Sequence, residues 1–411
     1  MVSKEIIADE AARPAAESII DSRAPAWLAV MSLALGAFST VTTEFLPIGL
    51  LTNIAASLGV TAGTAGLMVT MPGVLAAVAG PALIIASGRL DRRAVLIALS
   101  ALLVVSNVLA ACAQNFTTML IARLLLGMCV GGFWTFAPGA TTHLVPADLQ
   151  GKAMSYVLAG ISVATVVGVP AGALLGNLVG WRSSFGVVAV LSAAILVLQM
   201  RLLPAMPPAR ATQPRDLLVP LLRPASAIGL FVALLLIAGH FASYTYLTPL
   251  LQEKFGLPSV TVTSLLLLYG VAGFFGTFIG GRLVMRNARG TLLLAAATIS
   301  LVLILSAFSN GGLLAGILVA GVWGLAFGLI PVSMTAWMLQ ALPDAPEAGQ
   351  ALLVTSFQIA IASGALFGGR LVDSFGIGGA LTLGGVLAAA AAVTVAASMS
   401  RGAARYALGD T

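Results

Sequence analysis

Apolar runs follow one another along this chain, broken by short clusters of charged or turn-forming residues. A run of about 20 mainly apolar residues is what a helix needs to cross a bilayer. The pattern predicts crossing helices at 26–50, 62–86, 94–113, 117–142, 152–176 and 181–203. A second set is predicted at 225–251, 259–283, 291–309, 313–341, 349–371 and 378–399. The breaks between them read AQNFT, VPADLQGK, GWRSS, KFGLPS, SNGG and LPDAPEAG, all rich in turn residues. Twelve crossings would put both termini on one side.

Composition supports the lipid reading. The chain is 59% hydrophobic and 8% charged, against about 25% charged in soluble domains. The expected class is therefore an all-α integral membrane protein. A net charge of +6 could suggest nucleic acid, but such sites cluster their basic residues on one face. Here Lys and Arg sit between the apolar runs. Sixteen fall on one side of the predicted topology and four, Arg123, Arg182, Lys254 and Arg370, on the other. The side rich in Lys and Arg is expected to be cytoplasmic, so both termini are expected inside. Residues 1–25 mix both charges and lack a signal-peptide core, which reads as an uncleaved N-terminal tail. Cys112 and Cys129 lie in apolar runs and read as small hydrophobes, with a metal or redox site as the alternative.

The chain divides at its longest polar connection, rich in Pro and Arg. The expected parts are a six-helix bundle (26–203), a cytoplasmic linker (204–224), a second bundle (225–399) and a C-terminal tail (400–411). Matching pieces recur in the same order in both halves. GALLGNLVG at Gly172 echoes GALFGGRLV at Gly364, and GRL at Gly88 echoes GRL at Gly281. TEFLP ending at Pro47 faces TYLTP ending at Pro249, and HLVPAD faces QALPDAP. Chance similarity among apolar helices is the alternative. Parallel six-helix halves with a substrate site between them are a transporter architecture.

Three motifs make the resemblance specific. SGRLDRRAVL (87–96) resembles the loop between helices 2 and 3 of the major facilitator superfamily, shortened by one Gly before the basic pair. RLLLGMCVGG (123–132) resembles its fourth-helix motif. GVPAGALLGNLVGWRSSF (168–185) resembles its fifth-helix antiporter motif, with Val169 between Gly168 and Pro170. That variant, with GHFASYTYLTPLL (239–251), is similar to the sugar-efflux and arabinose-efflux branch of the twelve-helix drug:proton antiporters. The resemblance covers about residues 26–399. It implies the two-bundle fold, a bacterial inner membrane, no cofactor beyond the proton gradient, and a small-molecule substrate.

Glu44 stands out first. It interrupts an apolar stretch, and no charge follows from Phe45 to Gly88. A carboxylate there costs about 2.5–3.5 kcal/mol if it faces lipid. It is placed in the outer third of helix 1, either reaching outer water or facing the interior as the proton-coupling group. Thr40 and Pro47 share its helix face. His240 is the second proton candidate, with a neutral histidine bonded to a backbone carbonyl as the alternative; its ordinary pKa of about 6.5 suits a shuttle. Arg123 either snorkels to the interface or, as the resemblance implies, faces inward beside an acid. Candidates to bind substrate are Thr40, Asn107, Trp134, Tyr244, Trp337 and Gln358. The two tryptophans are equally open to reading as packing or interface anchors. Asp91 and Arg92 read as a solvated turn, or by resemblance as a charge lock on one access state. Gly168, Gly172 and Gly176 lie near one face of helix 5, beside the helix-kinking Pro170. They are candidates for tight packing or for a gating surface.

The expected function is proton-coupled export of a small polar solute such as a sugar, by alternating access and as a monomer. Drug, antibiotic or nucleoside export by the same fold is the alternative. An intramembrane enzyme would need clustered nucleophiles, paired acids or metal ligands, and none is legible. An ATP-driven pump would need a G-x-x-x-x-G-K-[ST] loop, which is absent.

Overall fold

The computed structural model of the protein describes residues 2–87, 90–207 and 223–407. Gly88 and Arg89 of the loop motif, linker residues 208–222 and tail residues 408–411 lie outside the described residues. Among the described residues every regular element is helical. Among them, eleven helices are long and apolar enough to cross a membrane. One of them, Ser259–Phe308, is broken at Asn287, whose backbone turns extended (φ −160°, ψ 98°). The Asn287 side chain then accepts the Gly290 N–H (2.9 Å). That break divides the run into two crossings and makes twelve in all.

In chain order, α1 is Val2–Leu58. Helix α2 is Ala62–Ala65 continued after Gly66 by Leu67–Ser87. Then come α3 (Arg92–Ala111), α4 (Phe116–Leu144), α5 (Ala147–Val179) and α6 (Trp181–Leu202). The second half has α7 (Pro224–Tyr244), α8 and α9 (the two parts of Ser259–Phe308), and α10 (Leu313–Ala341). It ends with α11 (Pro346–Phe375) and α12 (Ile377–Ala407). Side-chain caps open several helices: Thr61 accepts from Thr64 N, Asp91 from Arg93 N and Asn115 from Thr118 N. The tight α5–α6 and α11–α12 corners use Gly180 and Gly376 at positive φ (99° and 73°), a conformation that disfavours a Cβ. Valines, leucines and phenylalanines such as Val190, Phe275, Leu305 and Val393 are exposed around the outside. In water such a surface would be unstable; in lipid it is solvated.

The repeat seen in the sequence is a repeat of packing. On α5, Gly160, Gly168, Gly172 and Gly176 lie against Ala34, Thr42, Leu46 and Leu50 of α1. On α11, Gly364 and Gly368 lie against Ala238 and Ala242 of α7. Likewise Gly127 and Gly131 of α4 meet Pro72 and Ala76 of α2, while Gly328 of α10 meets Gly273 of α8. Small residues let these backbones approach closely.

The halves meet along α2–α11 and α5–α8, and where α1 packs on residues 247–252 just after α7. Repeat mates touch directly: Thr248 donates to the Ile48 carbonyl (2.7 Å) and Thr52 to Gln252 Oε1 (2.7 Å), each across 200 residues. At the bundle end away from the termini, Asp373 of α11 accepts the Gly63 N–H (2.9 Å) and the Thr61 hydroxyl (2.9 Å). Farther in, Gly73 packs on Gln358 and Ala362, and Gly270 on Thr165 and Val166.

Several expected boundaries change; α1, for one, is helical from Val2 rather than from about residue 26. Helix α1 continues to Leu58 rather than stopping near residue 50. Its polar Thr52 and Asn53 find partners in Gln252 and Asn177, so they do not end it. Glu44 consequently sits nearer the middle of the Pro25–Leu58 span than its outer third. Helix α7 ends at Tyr244, and the expected remainder to residue 251 becomes Leu247–Pro249 and a π turn, Leu250–Lys254.

Candidate functional site

Glu44 is buried (4% exposed) where the two halves meet. Its carboxylate accepts from Gln358 Nε2 of α11 at 3.5 Å, a long bond. It therefore does not reach outer water. Arg123 of α4 is also buried (1% exposed), so it does not snorkel. Its guanidinium donates to three main-chain carbonyls: Met68 (2.7 Å), Thr43 (2.7 Å) and Glu44 itself (2.6 Å). The planar fork suits this, because its five N–H groups diverge in fixed directions. Arg123 thus ties α4 to α1 and α2 and places a positive charge beside Glu44. It holds the Glu44 backbone, not the carboxylate.

A polar cluster adjoins Arg123 inside the first half. Asn107 Nδ2 lies within reach of Thr43 Oγ1 (3.1 Å), the Leu103 carbonyl (3.1 Å) and Ser192 Oγ (3.3 Å). Ser192 and Ser39 hydroxyls are 2.8 Å apart. Asn107 Oδ1 and Thr42 Oγ1 are buried without a hydrogen-bond partner among the described residues. Thr40 is buried on the same helix.

The second half contributes an aromatic cluster. His240 of α7 is fully buried and stacks on Phe327 (centroids 4.0 Å apart) and Tyr244 (5.0 Å). Tyr244 stacks in turn on Tyr269 of α8 (4.8 Å). Trp323 of α10 donates its indole N–H to His240 Nδ1 (3.0 Å). An indole N–H only donates, so Nδ1 accepts and the ring is neutral with its proton on Nε2. The hydrogen-bond network assigns this tautomer. It is a neutral histidine, as the alternative had it, but bonded to an indole instead of a carbonyl. Trp323 ends a π turn, Val319–Trp323, and such turns re-aim side chains within a helix. Phe45, next to Glu44, stacks on Phe241 (5.5 Å) and joins this cluster to the first half.

Other candidates lie elsewhere. Trp134 packs edge-on against Phe133, 11 residues, or about 16 Å, along α4 from Arg123. Trp337 donates to the Ala225 carbonyl (3.2 Å) under Arg289, about 21 Å along α10 from Trp323. Asp91 Oδ1 caps α3 through Arg93 N (2.8 Å) and also accepts Met206 N–H (2.8 Å). Arg92 lies over the Phe136 ring. These contacts stay within the first half. The row Gly168, Gly172 and Gly176 likewise faces α1, so it is a seam inside one bundle. Pro170 is buried just after a π turn, Ala164–Gly168.

Tyr269, Trp323, Phe327 and Phe45 were passed over in the sequence. A signal existed: Trp323 and Phe327 are four apart and share a helix face. Yet aromatics in an apolar helix read first as packing.

The geometry is that of two bundles with a buried acid between them. Residues 33–351 match the Major Facilitator Superfamily. The chain belongs to that superfamily. It is 33% identical over 379 residues to the purine ribonucleoside efflux pump NepI of Salmonella enteritidis PT4, covering 91% of this chain and 94% of that protein. NepI of Salmonella typhimurium matches to the same extent. In structure it resembles a bacterial homologue of the human lysosomal transporter Spinster, inward-facing and unoccupied. The TM-score is 0.72 at 16% identity, over 91% of this chain and 95% of that one. The human organic anion transporter MFSD10 aligns with a TM-score of 0.63 at 16% identity, over 91% and 99% of the two chains. As a major facilitator the protein is a membrane transporter and not an enzyme.

Proposed function

We propose that the protein exports purine ribonucleosides across a bacterial inner membrane in exchange for protons. Both termini would lie in the cytoplasm and the monomer would be the working unit. One observation carries the coupling: Glu44 is buried between the halves, with Arg123 of the first half on its backbone and Gln358 of the second on its carboxylate. A proton taken up there from outside would neutralise the carboxyl and release the charge from its setting. The loaded carrier would turn inward, lose the proton to the cytoplasm and bind nucleoside for the outward step. Such a site would bias a two-state equilibrium, because its partners come from both halves.

The substrate reading rests on the NepI relatives and on the stacking faces around His240. A nucleoside combines the hydroxyls of a sugar with a flat base, and small-molecule sites pair apolar and aromatic walls with a few polar groups. With the Arg-rich end inside, the Asp373–Gly63 junction would close the outer end.

The test uses inside-out vesicles with an acidic lumen, followed by a lumenal pH dye. Inosine, guanosine and adenosine are expected to drain the gradient, while free sugars and antibiotics are not. Drainage by a sugar and not by nucleosides would replace the substrate; drainage by nothing that the protein binds would remove proton exchange.

A further inference from the structure

The aromatic cluster of the second half holds two polar atoms that the protein leaves unsatisfied. His240 Nε2 and the Tyr269 hydroxyl are both buried without a hydrogen-bond partner among the described residues. His240 is 0% exposed and Tyr269 is 4% exposed. Their rings share neighbours: both pack on Tyr244, Trp323 and Phe327. Buried polar groups are rarely left unpaired, since each forfeits its bonds to water. Two in one cluster suggest a missing partner. Phe327 is half-buried at one edge of the cluster, and so is Phe45 beyond Phe241.

The chemistry of that partner follows from the donors. Trp323 occupies His240 Nδ1 and so fixes Nε2 as an N–H donor. A tyrosine hydroxyl both donates and accepts. The ligand must therefore present at least one acceptor to Nε2–H and a polar atom to Tyr269. It must also offer a flat face, because the surrounding groups are ring faces and edges. A purine meets all three conditions through its ring nitrogens and its π-face. A free sugar supplies hydroxyls but no face, and an apolar drug supplies a face but no acceptor.

We infer that His240 and Tyr269 read the base of the transported nucleoside, with Nε2–H donating to a ring acceptor and the tyrosine hydroxyl bonding a second polar atom. This rests on the nucleoside reading above. It makes His240 a specificity residue held neutral by Trp323, and leaves proton exchange to Glu44.

The experiment measures competition for inosine transport in proteoliposomes, with inosine, 7-deazainosine and 3-deazainosine as competitors. Each deaza analogue replaces one ring nitrogen by C–H and keeps shape and stacking. Wild type should bind at least one of them about tenfold more weakly, the worth of one hydrogen bond that loses its partner. His240→Phe should erase that penalty, treating the analogue and inosine alike. Tyr269→Phe, which changes only the hydroxyl, gives a second test should His240→Phe not be recovered from the membrane. It should weaken competition by inosine itself. Equal competition by all three nucleosides in wild type would overturn the inference. So would discrimination that survives in His240→Phe, or inosine transport that Tyr269→Phe leaves unchanged. If wild type carries no nucleoside at all, the functional reading fails first and this one falls with it.

Discussion

At the scale of single residues, the informative groups are charges without water. Glu44 was legible because a lone carboxylate in an apolar run needs a reason. Arg123 was legible by motif, but its use was not: three carbonyls from two helices are a tertiary fact. Those contacts predict a structural cost. A hydrogen bond to a charged group contributes about 1.5–3 kcal/mol, and neighbouring losses do not add fully. Arg123→Ala should therefore destabilise by roughly 3 kcal/mol, read as a lower unfolding midpoint in detergent. Arg123→Lys should recover only part, because one ammonium cannot span three diverging carbonyls. A lysine variant as stable as wild type would mean that charge alone matters at this position.

At the scale of elements, spans and repeats were visible while junctions were not. Twelve runs and their order could be read from hydrophobicity. The π turns, the end of α1 and the Asp373 cap depend on which helix lies alongside. Asp373 illustrates this: in sequence it is a charge at a helix end, while in the fold it caps α2 of the other half. A cap of this kind is typically worth about 1 kcal/mol. Asp373→Ala should shift the balance several-fold toward the state with that end open. A cysteine placed at Ala362, buried against Gly73, in a background without Cys112 and Cys129, should then react faster with an impermeant maleimide. An unchanged rate would mean that the cap does not hold the junction.

A second junction responds to acid. Arg223, at the start of α7, pairs with Asp344 in the α10–α11 loop. The hydrogen bond from Arg223, and then its charge, hold the Asp344 carboxyl below its ordinary value of 3.8. A lowered folded value adds stability above the unfolded pKa, and that contribution is lost as pH falls through the folded one. Both side chains are exposed, so salt screens the pair and the effect is small. At low salt, Asp344→Asn should lower the unfolding midpoint slightly at pH 7 and not at all near pH 2. An equal loss at both values would assign the effect to packing.

At the scale of the whole molecule, the pseudo-symmetry was legible and the asymmetry was not. Both halves repeat the same glycine seams, yet the first carries the buried charges and the second the stacked rings. Hydrophobic pattern sees only the repeat. Which ring meets which is set by three helices, α7, α8 and α10, far apart in sequence. Alternating access requires that the groups between the halves lose and regain partners, and among the described residues Glu44 is the buried charged group that bonds across them.

The most direct measurement compares wild type with Glu44→Gln in proteoliposomes, recording inosine counterflow and proton-driven inosine accumulation side by side. Gln keeps the shape and a hydrogen bond to Gln358 but cannot exchange a proton. Counterflow should persist while the proton-driven component falls to background. Proton-driven accumulation that survives the substitution would place coupling at another group and contradict the role given to Glu44.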